Sequence, residues 1–242
     1  MATERSETIA LEGGEPMRAL LTLPEGEAPA AGWPLILAIH DAFGFSDDIR
    51  RIARRFAENG YAALAPAVYD GAGAPFLCVV RTFRDLQARK GAAFERIEAA
   101  RAHAAALPEI DGERMGITGF CMGGGFAIFF AARGGLKVCA PYYGDTPSRA
   151  DQLRDVCPVV AGFGALDKSF ARQGERLERH LSELGVPHDV KIYADVGHSY
   201  MNNFDSSAMA SIMRRTPMHG AYDQAASDDS WRRMVDFFGK HL

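Results

Sequence analysis

The apolar residues of this chain follow two alternating patterns. Short, continuous apolar runs, such as residues 34–40 and 157–163, are typical of strands that are covered on both faces of a sheet. Between the runs, apolar residues recur every three or four positions, as at Ile49, Ile52 and Phe56, which is typical of helices packed on one side. This alternation predicts an α/β fold built on a doubly wound, mostly parallel sheet.

The pattern also predicts how the chain is divided. Strands are predicted at residues 8–12, 17–23, 34–40, 61–65, 114–118, 137–143, 157–163 and 190–194, and helices at 46–58, 91–107, 126–132, 169–184 and 229–241. The first two strands, joined through Gly13 and Gly14, predict a hairpin at an antiparallel N-terminal edge. Residues 69–89 have no clean period and predict a loop that passes into a helix. Because no repeat or low-complexity linker interrupts the pattern, we expect a single domain, 1–242.

Composition and charge exclude several classes of partner. Apolar residues make up 48% of the chain, and the formal net charge of -4 comes without a basic run that could bind nucleic acid. No apolar stretch approaches the length of a membrane span, and residues 1–14 are polar, so we expect a cytoplasmic protein without a membrane partner. The expected partner is a small molecule, and both a monomer and a small homo-oligomer stay open.

No metal or organic cofactor is predicted. The cysteines are widely spaced and form no C-x-x-C pair that would indicate a zinc site or a redox dithiol: Cys78, Cys121, Cys139 and Cys157. Gly162 and Gly164 resemble the start of a dinucleotide fingerprint, but Asp167 occupies the third glycine position, so a nucleotide cofactor is rejected.

Residues 117–125, ITGFCMGGG, combine a strand end, a glycine-rich turn and an apolar helix around Cys121. A nucleophile on a sharp turn between strand and helix has a strained backbone, and its neighbours two positions away, here Gly119 and Gly123, must be nearly free of side chains. The helix N-terminus would favour the reactive thiolate, and the N–H of Met122 would supply one arm of an oxyanion hole. The alternative is that Cys121 is a small buried hydrophobe beside a tight turn.

Two further polar residues follow strands in the order expected of a catalytic triad. Asp167 comes just after the strand 157–163, and His198 lies in the loop after 190–194. Because sites in doubly wound sheets lie beyond the carboxyl ends of the strands, we expect both residues near Cys121. Cys121 would attack a carbonyl, His198 would move the proton, and Asp167 would orient the imidazole.

Each of these assignments has a competitor. Asp167 could instead cap the helix predicted from Ser169, and Asp195 is nearer to His198 along the chain. We rank Asp195 second, because three residues within one loop need not bring two side chains face to face. His40 also ends a strand, and we expect it to shape the rim of the pocket.

The motifs GFCMGGG, GFGALD and YADVGHSY together resemble the dienelactone hydrolase family, cysteine-nucleophile members of the α/β-hydrolase superfamily that open enol lactones in catechol degradation. The resemblance spans residues 16–242 by the order and spacing of the elements. It implies an α/β-hydrolase fold, the triad Cys121, His198 and Asp167, and a carboxylic ester hydrolase similar to carboxymethylenebutenolidase.

The resemblance also implies three pocket residues. Asp41 stands where the family has an acidic residue, often glutamate, that interacts with the resting thiol, and the shorter aspartate changes that reach. Ala42 would supply the second N–H of the oxyanion hole. Tyr143 matches a strand end near the pocket, where a packing role is an equal alternative.

One departure from the family concerns the substrate. Lactone-hydrolysing members bind the substrate carboxylate with arginines, one of them four residues after the histidine, and here that position is Asn202. A neutral amide cannot replace the bidentate contact of arginine with a carboxylate. Arg81 or Arg84 could supply another positive charge.

We therefore expect a hydrolase of esters or lactones that acts through a thioester acyl-enzyme and does not necessarily prefer dienelactone. The alternative from another class is a non-catalytic or redox-sensing small-molecule binding protein on the same scaffold, with Cys121 as the sensor thiol. Cys78 or Cys139 near Cys121 would favour that alternative. A serine hydrolase using Ser169 or Ser199 is disfavoured, because neither lies in a glycine elbow.

Overall fold

The computed structural model describes residues 2–68, 82, 84–203 and 208–242. It divides into two compact units, Met1–Ile117 and Thr118–Leu242. Strands and helices alternate along the chain, and the eight strands form a mostly parallel sheet. This confirms the predicted α/β class and its antiparallel N-terminal edge.

The first unit holds the N-terminal edge of the sheet. Its elements are β1 (Thr3–Ile9), β2 (Met17–Leu23), β3 (Trp33–Ile39), α1 (Asp47–Glu58), β4 (Ala62–Pro66), α2 (Ala92–Ala105) and most of β5 (Ile110–Phe120), with the strand order β1-β2-β4-β3-β5. β1 and β2 are antiparallel, as are β2 and β4, whereas β3 and β4 are parallel. The hairpin is confirmed, but its first strand begins at Thr3 and not at residue 8, because β1 is mostly exposed and carries no apolar run.

The core of the first unit follows the predicted apolar pattern. Residues 35–39 of β3 are fully buried, and α1 turns Ile49, Ile52 and Phe56 inward. Ser46 precedes α1 as predicted, but its side chain makes no capping hydrogen bond.

The second unit holds the other half of the sheet. Its elements are the end of β5, α3 (Met122–Ala131), β6 (Val138–Tyr142), a short 3-10 helix (Ala150–Leu153), β7 (Val159–Gly164), α4 (Ala171–Leu184), β8 (His188–Tyr193), α5 (Ala208–Arg215) and α6 (Gln224–His241), with the strand order β5-β6-β7-β8. β6, β7 and β8 are parallel, so the residues that follow them share one edge of the sheet. That edge carries the candidate site.

One predicted helix begins later than expected, and one predicted segment lies mostly outside the described residues. The helix predicted from Ser169 begins at Ala171, because residues 168–170 form a turn at its start. Most of the segment 69–89, including Arg81 and Cys78, lies outside the described residues, whereas residues 84–88 are helical. Within the described ranges, every helix is too short or too polar to cross a membrane.

Candidate active site

Cys121 lies at the turn between β5 and α3 in a strained backbone conformation. Its φ is 54° and its ψ is -119°, a left-handed φ that side chains rarely adopt. The Cys121 N–H donates to the carbonyl of Tyr142 at 3.1 Å, and its carbonyl accepts from the N–H groups of Gly124 and Gly125 at 3.0 and 3.2 Å. The surrounding backbone therefore fixes a strained residue, an arrangement that is enriched at functional sites.

The glycine two residues before Cys121 has no room for a side chain. A Cβ atom on Gly119 would lie 2.0 Å from the carbonyl oxygen of Gly123. The strand end and the helix start therefore touch through their backbones, as the sequence predicts for such a turn.

The helix after Cys121 is α3, and all ten of its residues are buried. The first N–H groups of a helix have no acceptor within the helix, and their partial positive charge favours an anion at the N-terminus. Cys121 is the N-cap residue of α3 and is half-buried, so its thiol combines this electrostatic position with access from solvent.

Asp167 and His198 form a buried pair at the ends of β7 and β8. The Oδ2 atom of Asp167 lies 2.6 Å from Nδ1 of His198, and both side chains are essentially inaccessible to solvent. The other carboxylate oxygen, Oδ1, accepts the backbone N–H groups of Ser169 and Phe170 at 3.0 and 3.1 Å. Asp167 thus binds the turn before α4 and His198 at once, through different oxygens, whereas the side chain of Asp195 is exposed.

The second ring nitrogen of His198 faces the thiol side of the site. Nε2 is buried and has no hydrogen-bond partner among the described residues. The pKa of His198 is nevertheless raised to about 10: burial lowers it, but the charge of Cys121 and the hydrogen bond to Asp167 raise it by more. The charge of Cys121 raises this pKa more than a hydrogen bond from its thiol does, so the effect of Cys121 on His198 is mainly electrostatic. His198 is therefore coupled to Asp167 and to Cys121.

Two aromatic rings pack against the imidazole. The ring of Tyr143 lies 5.1 Å from that of His198 in an edge-on arrangement, and the ring of Phe170 lies 5.0 Å away, tilted by 40°. The Tyr143 hydroxyl donates to Oδ1 of Asn202 at 2.7 Å, and both residues are buried. Tyr143 thus packs against His198 and binds Asn202, while Phe170 was missed by sequence reasoning, although its position three residues after Asp167 was a usable signal.

Residues 217–221 are hydrogen-bonded to the loops that carry Asp167 and His198. The N–H of His198 donates to the carbonyl of Met218 at 2.8 Å, and its carbonyl accepts from Ala221 at 3.1 Å. The N–H of Lys168, next to Asp167, donates to the carbonyl of Pro217 at 3.1 Å. No motif marked this segment, because its contribution comes from backbone groups that any residue carries.

In the first unit, Asp41 and Ala42 lie in a turn after β3. Asp41 is buried, its Oδ1 accepts the N–H of Phe43 at 2.8 Å, and its carbonyl accepts the N–H of Gly44 at 3.2 Å. His40 is buried as well, and its Nδ1 lies 2.9 Å from the same carbonyl of Asp41. The roles assigned to Asp41 and Ala42 toward the thiol and the oxyanion stay predictions.

Known proteins resemble the chain over most of its length. The model of the dienelactone hydrolase family matches residues 17–242. A carboxymethylenebutenolidase from Rhodococcus opacus is 28% identical over 223 residues, which cover 86% of this chain and 81% of that protein.

Two solved structures show the same fold. A dienelactone hydrolase-like promiscuous phosphotriesterase from metagenomic libraries has a TM-score of 0.82 at 23% identity, covering 99% of this chain and 98% of that one. The dienelactone hydrolase of Anabaena variabilis has a TM-score of 0.66 at 17% identity, covering 100% and 99%. Together with the family match, these similarities make the protein a carboxylic ester hydrolase. The chain belongs to the dienelactone hydrolase family.

Proposed function

We propose that the protein hydrolyses small ester or lactone substrates with Cys121 as nucleophile, His198 as general base and acid, and Asp167 as the residue that orients the imidazole. One observation carries the proposal: the buried imidazole of His198 is bound by Asp167 at Nδ1 and is electrostatically coupled to Cys121. A nucleophile, a base within its reach and a third group that orients the base are the parts of a nucleophilic hydrolase.

The reaction would proceed in two halves. The thiolate of Cys121 attacks the carbonyl carbon, the bond to the leaving oxygen breaks, and that oxygen takes a proton from Nε2 of His198. Water then attacks the resulting thioester and gives a proton back to Nε2, and the carbon–sulfur bond breaks to release the acid and the thiolate. In the net reaction, one ester and one water give an acid and an alcohol. A lactone and one water give a single hydroxy acid.

The charge of the tetrahedral intermediate needs nearby donors. Met122 is the first residue of α3, and its N–H is one of the donors without an acceptor inside the helix. We assign it to the oxyanion, with the N–H of Ala42 as the second donor that the family resemblance implies. Losing one such donor typically slows turnover by about a hundredfold to a thousandfold.

Asn202 argues for substrates without an essential carboxylate. Its side chain is buried and its oxygen accepts the hydrogen bond from Tyr143, so a neutral, anchored amide is bound to the ring that packs against His198. Such a group offers no charge to a carboxylate, and burying a carboxylate beside it is costly. We therefore propose that neutral aryl or alkyl esters are turned over at rates comparable to that of dienelactone.

The redox-sensor alternative has little support. Cys139 is fully buried, and burial raises the pKa of its thiol well above the ordinary value, which disfavours the thiolate needed to resolve an oxidised Cys121. Cys157 is also buried, and its thiol has a pKa raised to about 12 by burial. Cys78 lies outside the described residues.

The test compares two substrates before and after alkylation of the protein. A chromogenic short-chain aryl ester and dienelactone are each assayed while iodoacetamide labelling is mapped by mass spectrometry. We expect both activities to fall in step with labelling of Cys121, and a Cys157→Ala variant to keep them, because the Cys157 thiol is buried and has no role in the proposed mechanism. Full activity after complete labelling of Cys121 would remove it as the nucleophile, and turnover of dienelactone alone would contradict the substrate class.

A further inference from the structure

Behind the loop of His198 lies a row of polar groups that the proposed mechanism does not use, of which Tyr200 and Ser230 are buried and Tyr193 and Asp229 half-buried. The hydroxyl of Tyr200 lies 2.9 Å from Oγ of Ser230, and Ser230 Oγ donates to the hydroxyl of Tyr193 at 2.8 Å. Tyr193 in turn donates to Oδ2 of Asp229 at 2.8 Å. We call these four residues the hydroxyl chain. It connects the His198 loop through α6 and the end of β8 to the surface.

The carboxylate of Asp229 sets the direction of every bond in the hydroxyl chain. Lys191 donates to the same Oδ2 at 2.7 Å, and this contact keeps the pKa of Asp229 below its usual value, so the carboxylate only accepts. Tyr193 must then donate to Asp229, and the single proton of Ser230 goes to Tyr193. Tyr200 is therefore the donor to Ser230, and burial raises the pKa of its hydroxyl, which keeps that proton in place. Hydrogen bonds that share one direction strengthen one another.

Tyr200 also contacts the surroundings of His198 through its ring. The ring lies edge-on to Tyr143 at 5.2 Å, and Tyr143 lies edge-on to His198 at 5.1 Å. Ser199, between His198 and Tyr200, has a φ of 61°, so the loop turns sharply between the two side chains. Tyr200 is thus fixed at both ends, by a hydrogen bond and by ring packing.

The sheet leaves space for the Tyr200 hydroxyl at one point. A Cβ atom on Gly162 of β7 would lie 2.0 Å from that hydroxyl oxygen. Any side chain at residue 162 would displace the tyrosine from Ser230. The position of Tyr200 is therefore specified by the strand beneath it as well as by α6.

We propose that Tyr200 is a positioning residue for His198, held in place by the hydroxyl chain and acting through Tyr143. This inference rests on the proposed function of His198 as the catalytic base. A base must lie within a fraction of an ångström of its productive position, and small displacements are costly in rate. The backbone of the His198 loop is already hydrogen-bonded to Met218, Ala221 and Asp223, and the hydroxyl chain adds a side-chain restraint behind the imidazole.

The test compares Tyr200→Phe with Thr146→Val. The first variant keeps the ring and removes the hydroxyl, whereas the second removes a buried hydroxyl that bonds the carbonyl of Gln173 at 3.1 Å, outside the hydroxyl chain. We expect kcat for an aryl ester to fall about tenfold in Tyr200→Phe, with KM within about twofold of wild type. Thr146→Val should keep both constants, measured well below the melting temperature of each variant.

Two more measurements test the hydroxyl chain independently of the Tyr200→Phe variant. Ser230→Ala breaks the hydroxyl chain while leaving Tyr200 intact, and it should produce the same loss of kcat without a change in KM. The rate at which iodoacetamide alkylates Cys121 reports its coupling to His198 without any turnover, and it should fall in both variants and not in Thr146→Val. Wild-type kcat and alkylation rates in Tyr200→Phe and Ser230→Ala would overturn the inference. If the wild-type protein hydrolyses neither the aryl ester nor dienelactone, the proposed function fails. The alkylation rates of Cys121 alone then decide the role of Tyr200.

Discussion

At the scale of single residues, the notable feature is that Asp167 and His198 are both removed from water. A buried carboxylate is costly unless several donors contact it, and Asp167 has two backbone N–H groups as well as the imidazole. The imidazole is bound at Nδ1 by this carboxylate, which leaves Nε2 available for the proposed proton transfers. Because one carboxylate oxygen of Asp167 binds the backbone and the other binds His198, the orientation of the imidazole and the local stability can be tested separately.

Asp167→Asn and Asp167→Ala should differ in stability but not in activity. Asparagine keeps an oxygen for the N–H groups of Ser169 and Phe170 but presents an amide to His198, which favours the wrong tautomer. We expect kcat to fall by about a thousandfold or more in both variants, while only the alanine variant loses about 1–2 kcal/mol of unfolding free energy. Steady-state kinetics and chemical denaturation measure the two effects. An asparagine variant with near-normal kcat would contradict the assigned role.

The protonation of His198 should depend on Cys121. The pKa of His198 in the folded protein is about 10 against an ordinary 6.5, and the charge of Cys121 is the largest cause that raises it. The contribution of His198 to stability is therefore complete below pH 6.5 and is lost as the pH rises through about 10. In Cys121→Ala we expect a lower pKa for His198, read by NMR titration of its ring, whereas Cys157→Ala should not change it. Equal values in wild type and Cys121→Ala would show that the two side chains are not coupled.

At the scale of elements, the turn from β5 into α3 depends on backbone contact that a side chain would prevent. The strain at Cys121 persists because both its N–H and its carbonyl are hydrogen-bonded and because α3 is buried along its whole length. The geometry of this turn is therefore fixed by several segments together, and Gly119, two residues before Cys121, has no room for a side chain.

Gly119→Ala and Gly239→Ala should have opposite effects on stability. At residue 119 a Cβ would clash with the carbonyl of Gly123, which cannot move without distorting α3, so we expect a loss of more than about 3 kcal/mol of unfolding free energy. Gly239 lies exposed within α6 with nothing near its Cβ position, and alanine there should add about 0.5–1 kcal/mol. Thermal denaturation of both variants makes the comparison. A Gly119→Ala protein as stable as wild type would mean that the turn relaxes easily.

The sequence predicts elements best where burial leaves a regular pattern. The strand β3, the helix α1 and the elbow were predicted nearly to the residue, since each is a continuous apolar run, a clear helical stripe or a glycine motif. β1 was placed too late along the chain, because its residues are mostly exposed. The start of α4 was placed two residues early, because Asp167 and not Ser169 caps the turn.

At the scale of the whole molecule, the parts of the site that escaped prediction are contacts between segments far apart in the chain. Phe170 against His198, the backbone of residues 217–221 behind the same histidine, and Tyr200 bonded to Ser230 leave no local motif. The chain order of Cys121, Asp167 and His198, in contrast, is visible in the sequence, and their catalytic roles stay a proposal. The family and the enzyme class follow from similarity over residues 17–242, while the location in the cell and the oligomeric state stay predictions.

The most direct test of the account is the mass of the acyl-enzyme. Protein is mixed with an activated aryl ester and quenched in acid within the first turnover, and the adduct is located by peptide mass spectrometry in wild type and in Cys121→Ala. The account predicts one acyl group per chain, attached to the sulfur of Cys121 as a thioester, and neither adduct nor turnover in the variant. Turnover by Cys121→Ala, or an acyl group on any other residue of a fully active wild type, would contradict the assignment of Cys121 as the nucleophile.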